Sequence, residues 1–380
     1  MSAAASARAM LERTGEHPVI SLFLDLDPGR FATAPARATQ LRSLLDEAAR
    51  DEACGTHADR AALADDLGRL QEYLASGEPP VSGARSLAVF CSGRDDLFEA
   101  VALRDPVDAR VVIAHRPHVE PLVADRLPDR WCVTLVSRRA GTIMTGDPAG
   151  VDERERVSDD VHGQHSQGGW SQANYERSVE NEAEQHLRRL AIAVYRVWQR
   201  EQFARLVLGG PREDVERFEQ LLHNDLRPAL VPARLALEAE AATVAEVRAA
   251  LAPVLERERD TARQRAVAEL RERLGAGNAA TAGIAPTLQA LGERRVQRLV
   301  LDAGFAAQGE RCPECGFLAA GWEGTCPVDG SGLAPVGDLR AAAIECAVLQ
   351  DADVTVVGEG GALPPAPLVT GEAIAALLRF

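Results

Sequence analysis

His162-Gly163-Gln164-His165-Ser166-Gln167-Gly168-Gly169-Trp170-Ser171-Gln172 is a polar, glycine-jointed run that leads into the longest helical pattern of the chain. Upstream, residues 147–150 read as a turn closing a strand pair. The stretch from there to 171 holds almost no apolar anchor, which predicts a mobile loop. Downstream, Tyr175, Val179, Ala183, Leu187, Leu190, Val194 and Val197 recur every three or four residues, which predicts an amphipathic helix to about residue 200. At ~1.5 Å per residue such a helix is on the order of 40 Å long, so loop and helix read as a tip on a rod. Gly168 and Gly169 have no Cβ, and the backbone there can take positive φ and lie flat against another molecule. Ser171 reads as the N-cap, which sets the loop at the positive end of the helix dipole. The amides of Gln164, Gln167 and Gln172 both donate and accept, so they can hold a water and steady an oxyanion but cannot act as a strong base. Taken alone, a loop of this kind is more often a solvated connector, and its spacing fits neither a dinucleotide fingerprint nor a P-loop.

Around this feature the pattern predicts an α/β chain of three domains, 1–129, 130–275 and 276–380. In the first, a strand at 19–26 is followed by helices at 36–50 and 57–75, then strands at 86–91, 97–103 and 110–114. Asp25 and Asp27 at a strand end, and His115 with His118, lack the further ligands a metal would need. The second domain opens with strands at 131–136 and 142–145. It continues past the loop and rod with a strand at 205–208, the turn Gly209-Gly210-Pro211 into a helix, a strand near 229–231, and a helical stretch 244–274 broken or kinked near Pro253. Strands flanked by helices in this order predict a mixed sheet covered by helices. In the third domain a helix at 281–291, a strand at 296–301, a helix at 339–349, a strand at 354–357 and a closing helix at 371–378 repeat the rhythm.

A formal net charge of −15 and a pI near 5.1 argue against recognition of nucleic acid through a broad basic face. The chain has no lysine, and Arg138-Arg139, Arg188-Arg189 and Arg294-Arg295 with Arg298 are its tight basic groups, each more simply read as a solvated face. No signal peptide and no span of ~18 apolar residues is evident, which predicts a cytoplasmic chain without membrane contact.

Seven cysteines, three of them clustered, fit reduced thiols and a metal site better than a disulfide framework. Cys312-Pro313-Glu314-Cys315-Gly316 is a tight turn that directs two thiolates at one ion, and Cys326-Pro327-Val328-Asp329-Gly330 repeats the shape with aspartate in the last ligand position. Three thiolates and a carboxylate can hold zinc tetrahedrally, and four protein ligands leave no open position for water, so the predicted role is structural. Cys346, on the apolar face of a helix, reads as core.

With these parts in order, residues 131–380 resemble the bacterial relatives of the archaeal and eukaryotic class-one peptide release factors, a group also similar to the peptidyl-tRNA hydrolase of ribosome quality control. The resemblance implies a ribonuclease-H-like central domain without nuclease carboxylates. It implies a C-terminal domain similar to a kink-turn-binding protein, carrying the zinc knuckle and docking a translational GTPase. The N-terminal residues do not resemble a codon-reading domain, so stop-codon recognition is not implied. In the family the loop reads Gly-Gly-Gln, and the glutamine places water on the peptidyl-tRNA ester. Gly168 and Gly169 match, Trp170 stands at the third position, and Gln172 is the nearest following glutamine, with Gln164 second. An ester needs only a placed water and an oxyanion donor, so an amide and backbone N–H groups can suffice. Trp170 could stack on an unpaired base, and Arg188 and Arg189 are the basic pair on the rod. The resemblance implies a ribosome-associated hydrolase acting in rescue. Its alternative is a non-catalytic A-site binder of idle ribosomes, and a zinc-bearing α/β protein unrelated to translation remains the reading that the net charge favours. The partners implied are the ribosome, peptidyl-tRNA and a GTPase, with no DNA.

Overall fold

Val19–Asp25, an apolar run buried on both faces, lies inside the first sheet. In the computed structural model, residues 3–13, 17–26, 43–45, 57–76, 84–103, 107–125, 127, 130–147, 150–158, 172–321, 324–358 and 373–380 are described. They form two compact units, one of residues 1–126 with 259–380 and one of residues 127–258.

The first unit begins with helix α1 (Ala3–Arg13), which the sequence reading did not foresee, followed by β1 (Val19–Asp25), α2 (His57–Ala75), β2 (Ser86–Ser92), β3 (Leu97–Leu103), β4 (Arg110–Ala114) and the single turn α3 (Glu120–Val123). The helix expected at 36–50 lies outside the described residues except for the helical turn 43–45. The strands form an antiparallel sheet in the order β3-β2-β1-β4. Because side chains alternate across a strand, Ile20 and Leu22 join Leu87 and Val89 beneath Leu63, Leu67 and Leu70 of α2, while Val19, Phe23, Ala88 and Phe90 turn to the opposite face. Phe23 and Phe90 meet edge to face there with centroids 6.0 Å apart. Asp25 is buried at the end of β1. His118 packs edge to face on Phe23 with its Nε2 2.9 Å from the Arg110 guanidinium.

The second unit contains β5 (Trp131–Val136), β6 (Ala140–Asp147), β7 (Gly150–Ser158), α4 (Gln172–Glu201), β8 (Arg205–Gly209), α5 (Arg212–Leu221), a 3-10 turn (Asn224–Ala229), β9 (Leu230–Leu235) and the first half of α6 (Val244–Gly275). Its sheet runs β7-β6-β5-β8-β9, an antiparallel meander continued by parallel strands. Cys132 and Val136 of β5 pack with Leu187, Leu190, Val194 and Phe218 of α4 and α5, and Trp131, Val133 and Leu135 pack with Val247, Leu251 and Val254 of α6. Strand β7 corrects the expectation that a loop without anchoring follows directly on the turn 147–150. An edge strand needs one apolar contact, supplied by buried Val151, and its charged side chains stay at the surface. Arg154 Nε donates to Thr145 Oγ1 at 2.7 Å, and that hydroxyl donates to Glu201 at 2.6 Å. Pro253 lies inside a helix that continues through it, so of the break or kink expected there the break is absent.

The chain returns to the first unit at residue 259 and adds β10 (Ala280–Ala282), α7 (Ile284–Gly292), β11 (Val296–Asp302), the short strands β12 (Gly309–Arg311), β13 (Leu318–Ala319) and β14 (Ala334–Val336), α8 (Leu339–Leu349), β15 (Asp353–Val357) and β16 (Ile374–Leu378). The sheet order is β10-β16-β11-β15. The closing helix expected at 371–378 is instead the buried strand β16: its Ala/Leu composition favours helix, but pairing with β10 and β11 overrides propensity. One apolar core joins α1 and the Phe23 face of the first sheet to α7, β11 and α8, so segments read as a first and a third domain share it. Arg340 of α8 clasps Glu120 through Nε and Nη2 at 2.9 and 2.6 Å and donates to the Asp302 carbonyl at 2.6 Å.

Burial alone would raise the Glu120 carboxyl, but the hydrogen bonds and charge of Arg340 outweigh it and hold the group below the usual range. A depressed folded pKa contributes stability above the unfolded value of about 4.3 and loses it as pH falls through the folded value. Urea melts should therefore show wild type losing stability below about pH 4 more steeply than Glu120→Gln, with that variant weaker by about 3 kcal/mol at pH 7 because it strands Arg340. Gly210 has φ +128, and a Cβ there would run into the Val136 carbonyl oxygen. Gly210→Ala is expected to cost on the order of 3 kcal/mol in the same melts.

Candidate metal centre and the rod helix

Strand β12 delivers the first half-site and the turn before β14 the second. Each is a five-residue loop with the same backbone hydrogen bonds. In the first, Gly316 N–H donates to Cys312 O at 3.0 Å and Cys312 N–H to Phe317 O at 2.8 Å. In the second, Gly330 N–H donates to Cys326 O at 2.9 Å and Cys326 N–H to Ser331 O at 2.7 Å. Both loops close through a glycine at φ +76, the left-handed turn a side chain disfavours. Cys315 N–H and Val328 N–H point at the Cys312 and Cys326 sulfurs at 3.5 and 3.4 Å.

The loops bring Cys312, Cys315, Cys326 and Asp329 together with their ligand atoms all within 4.8 Å of one another. Cys315 Sγ lies 3.5 Å from Cys326 Sγ, too far for a disulfide. Cys312 Sγ lies 3.3 Å from Asp329 Oδ2. Metal–sulfur bonds of ~2.3 Å in a tetrahedron set neighbouring ligands about 3.8 Å apart, so the spacing fits one ion. Ser331 donates to Asp329 Oδ1 through N–H at 2.9 Å and Oγ at 2.7 Å, which holds the carboxyl well below its usual range and leaves Oδ2 toward the sulfurs. Local desolvation, with the Cys326 thiol and the Asp329 carboxylate beside it, pushes the Cys315 thiol up to about 12. Four acidic groups this close repel as anions, and a cation resolves the conflict. The four residues could hold a metal ion. Ser331 was not singled out from sequence, although a serine two residues past a candidate aspartate ligand is the pattern that would have pointed to it. Cys346 lies outside the cluster, half-buried on α8, and burial pushes its thiol up.

Gln172 is the first residue of α4, a helix of 30 residues. Gln164, Gly168, Gly169, Trp170 and the expected cap Ser171 lie outside the described residues. Val179, Ala183, Leu187, Leu190, Val194 and Val197 form the buried stripe the periodicity predicts, and Arg188 and Arg189 are exposed. The basic groups singled out from sequence include many ion pairs: Arg188 with Glu184 at 2.6 Å, Arg138 with Glu180 at 3.1 Å, Arg139 with Glu240 at 3.3 Å and Arg295 with Glu293 at 3.0 Å. No helix among the described residues is long and apolar enough to cross a membrane.

Residues 117–263, which span β5 to β9, the loop and α4, match the bacterial archaeo-eukaryotic release factor family 10. A search of curated proteins found no match. Among solved structures, the chain is similar to the archaeal translation termination factor aRF1 (18% identity, 100% of this chain and 99% of that one, TM-score 0.28). It is similar to Archaeoglobus fulgidus Pelota (12% identity, 78% and 79%, TM-score 0.38) and to the archaeal Pelota of a ribosome-bound complex with ABCE1 (16% identity, 78% and 77%, TM-score 0.41). Through residues 117–263, this chain is related to the class-one release factors.

Proposed function

We propose that the chain is a ribosome-associated translation factor that hydrolyses the ester of peptidyl-tRNA in ribosome rescue. Gln172 positions the attacking water, and Gly168 and Gly169 admit the loop into the peptidyl-transferase cavity. The observation that carries this reading is the family match over 117–263, which covers the glycine pair, Gln172 and the helix that Gln172 opens. The helix of 30 residues is about 45 Å long. The start of any helix carries N–H groups without an intrahelical acceptor and a positive dipole end, which favour a developing oxyanion. Gln164, Trp170, Arg188 and Arg189 are the RNA-contacting side chains in this reading. The mixed sheet, whose central strand Trp131–Val136 carries no carboxylate, supports the ribonuclease-H-like assignment without nuclease chemistry. The C-terminal sheet is assigned as the kink-turn-binding-like part that docks a GTPase.

Trp170 in place of glutamine favours a second reading, a non-catalytic A-site binder that protects idle ribosomes. One experiment separates the two. Purified ribosomes carrying labelled peptidyl-tRNA should release peptide with the wild-type chain, and Gln172→Ala should lower the single-turnover rate at least ~10²-fold, the scale of losing one positioned catalytic group. Cosedimentation without release, weakened by Trp170→Ala, would select the second reading. Undiminished release by Gln172→Ala would remove the residue assignment.

The ion at the cysteine cluster is proposed to be zinc, in a structural role, since three thiolates and a carboxylate suit it and fill its four positions. Elemental analysis should find one zinc per chain, lost in Cys312→Ser with Cys315→Ser. Chelation should expose segment 309–336 to protease while leaving 127–258 resistant, because the short strands there have little core of their own. A metal-free chain with the same protease pattern would overturn the assignment.

A further inference from the structure

Among the described cysteines Cys315 alone is exposed, whereas Cys312 and Cys326 are 0% and 3% exposed. Cys315 opens on a recess of about 160 Å³ that it lines together with Arg294, Phe317, Val328 and Cys346. A small oxidant dissolved in water therefore meets Cys315 before it meets the other two sulfurs of the cluster. Those sulfurs also differ in what they face. Cys315 Sγ lies 3.5 Å from Cys326 Sγ, across the two half-sites, while Cys312 Sγ is turned to the Asp329 carboxylate at 3.3 Å. Aspartate in the fourth position thus gives Cys312 a neighbour that cannot form a disulfide.

A disulfide needs its sulfurs ~2.05 Å apart, so Cys315 and Cys326 must close by about 1.5 Å. The loops that carry them have room for the movement: a Cβ at Gly316, Gly324 or Gly330 would meet no heavy atom within 4 Å. Strands β12, β13 and β14 beside the loops are only three, two and three residues long. When a cation is bound, a coordinating thiol is held as thiolate, the form that attacks an oxidant.

We propose that Cys315 is an oxidation site, where hydrogen peroxide or an organic hydroperoxide closes a Cys315–Cys326 disulfide and so empties the centre, a step that rests on the cluster holding a metal ion. Cys315 Sγ attacks one peroxide oxygen; an S–O bond forms, the O–O bond breaks and hydroxide leaves. Cys326 Sγ then attacks the Cys315 sulfur, forming the S–S bond and expelling the second hydroxide. Both hydroxides take protons from water, and the two electrons given up by the sulfurs reduce the peroxide. Two of the four ligands are withdrawn, and Cys312 with Asp329 is too small a set to hold zinc. Segment 309–336 then loses the ion that gathers its two half-sites.

Full-length protein, purified in the reduced state, is treated with hydrogen peroxide in the presence of a chromogenic zinc chelator. One ion per chain should be released at least ten-fold faster than without peroxide, and the intact mass should fall by two hydrogen atoms. A glutamate-specific protease, cutting after Glu314, Glu323 and Glu345, places Cys312, Cys315, Cys326 and Cys346 on separate peptides. The Cys315 and Cys326 peptides should be joined until a reductant is added. Cys346→Ser, outside the cluster, should release its metal at the wild-type rate. A reduced chain that carries no metal overturns the metal reading and the switch together. Bound metal whose release peroxide does not accelerate, or a bridge that maps to Cys312 or Cys346, overturns the switch alone.

Discussion

The first unit depends on what Asp125 holds. Its N–H donates to Val354 O at 3.0 Å, its Oδ1 accepts from Val356 N–H at 3.0 Å, and its Oδ2 accepts from Arg263 at 2.9 Å. One residue thus fixes the segment that leaves the unit, the edge strand β15 beside it, and the helix that re-enters at residue 259. Burial pushes the Asp125 carboxyl above its usual range, and Arg263 draws it only part of the way back. A largely buried carboxylate in this position is costly unless it is hydrogen-bonded, and here each oxygen has a donor. Asp125 sits at positive φ, which a short polar side chain tolerates better than a branched one. Geometry and charge therefore select the same residue type.

Arginine chemistry extends the theme. With no lysine in the chain, its positive charges are planar forks suited to bidentate or shared acceptors. Glu345 illustrates this, with Arg311 at 2.6 Å and Arg116 at 3.6 Å on the same oxygen. Exposed pairs along α4 and α5, such as Arg212 with Glu216 at 2.7 Å, add only tenths of a kcal/mol each. They nevertheless neutralise basic groups that would otherwise form a patch. An acidic chain that pairs many of its arginines in this way can contact RNA only at chosen points, and that constraint shapes any ribosomal role.

How much of this the sequence disclosed depended on whether the signal was local. Val19–Asp25 and Trp131–Val136 are legible as short apolar runs buried on both faces, and the helix Gln172–Glu201 because burial writes period 3.6 into its residues. The gathering of Cys312, Cys315, Cys326 and Asp329 is legible for a different reason: Cys-Pro-x-Cys-Gly followed by Cys-Pro-x-Asp-Gly encodes two turns whose geometry is set within five residues. Ile374–Leu378 misled because Ala and Leu favour a helix when isolated, and only β10 and β11, nearly a hundred and about eighty residues away, make it a strand. Gly150–Ser158 was missed because an edge strand needs little apolar content. The Glu120–Arg340 clasp, between residues 220 apart in sequence, could not be read from either partner alone.

Aspartate as the fourth group of the candidate metal cluster fits the same reasoning about anions in confined space. Three thiolates and a carboxylate around a divalent ion would leave such a site with two excess negative charges, whichever acid filled the fourth place. Cysteine there would spread its charge onto a sulfur that accepts hydrogen bonds weakly. Aspartate instead places one oxygen on Ser331, through two strong donors at 2.7 and 2.9 Å, so part of the excess charge is met by the protein before any ion arrives. The second half-site is therefore set by its own turn, with Gly330 at positive φ and Ser331 beneath the carboxylate. The first, which has no such anchor, brings its two thiols through strand β12. The asymmetry between the half-sites is thus chemical rather than conformational, since their backbone hydrogen bonds are the same.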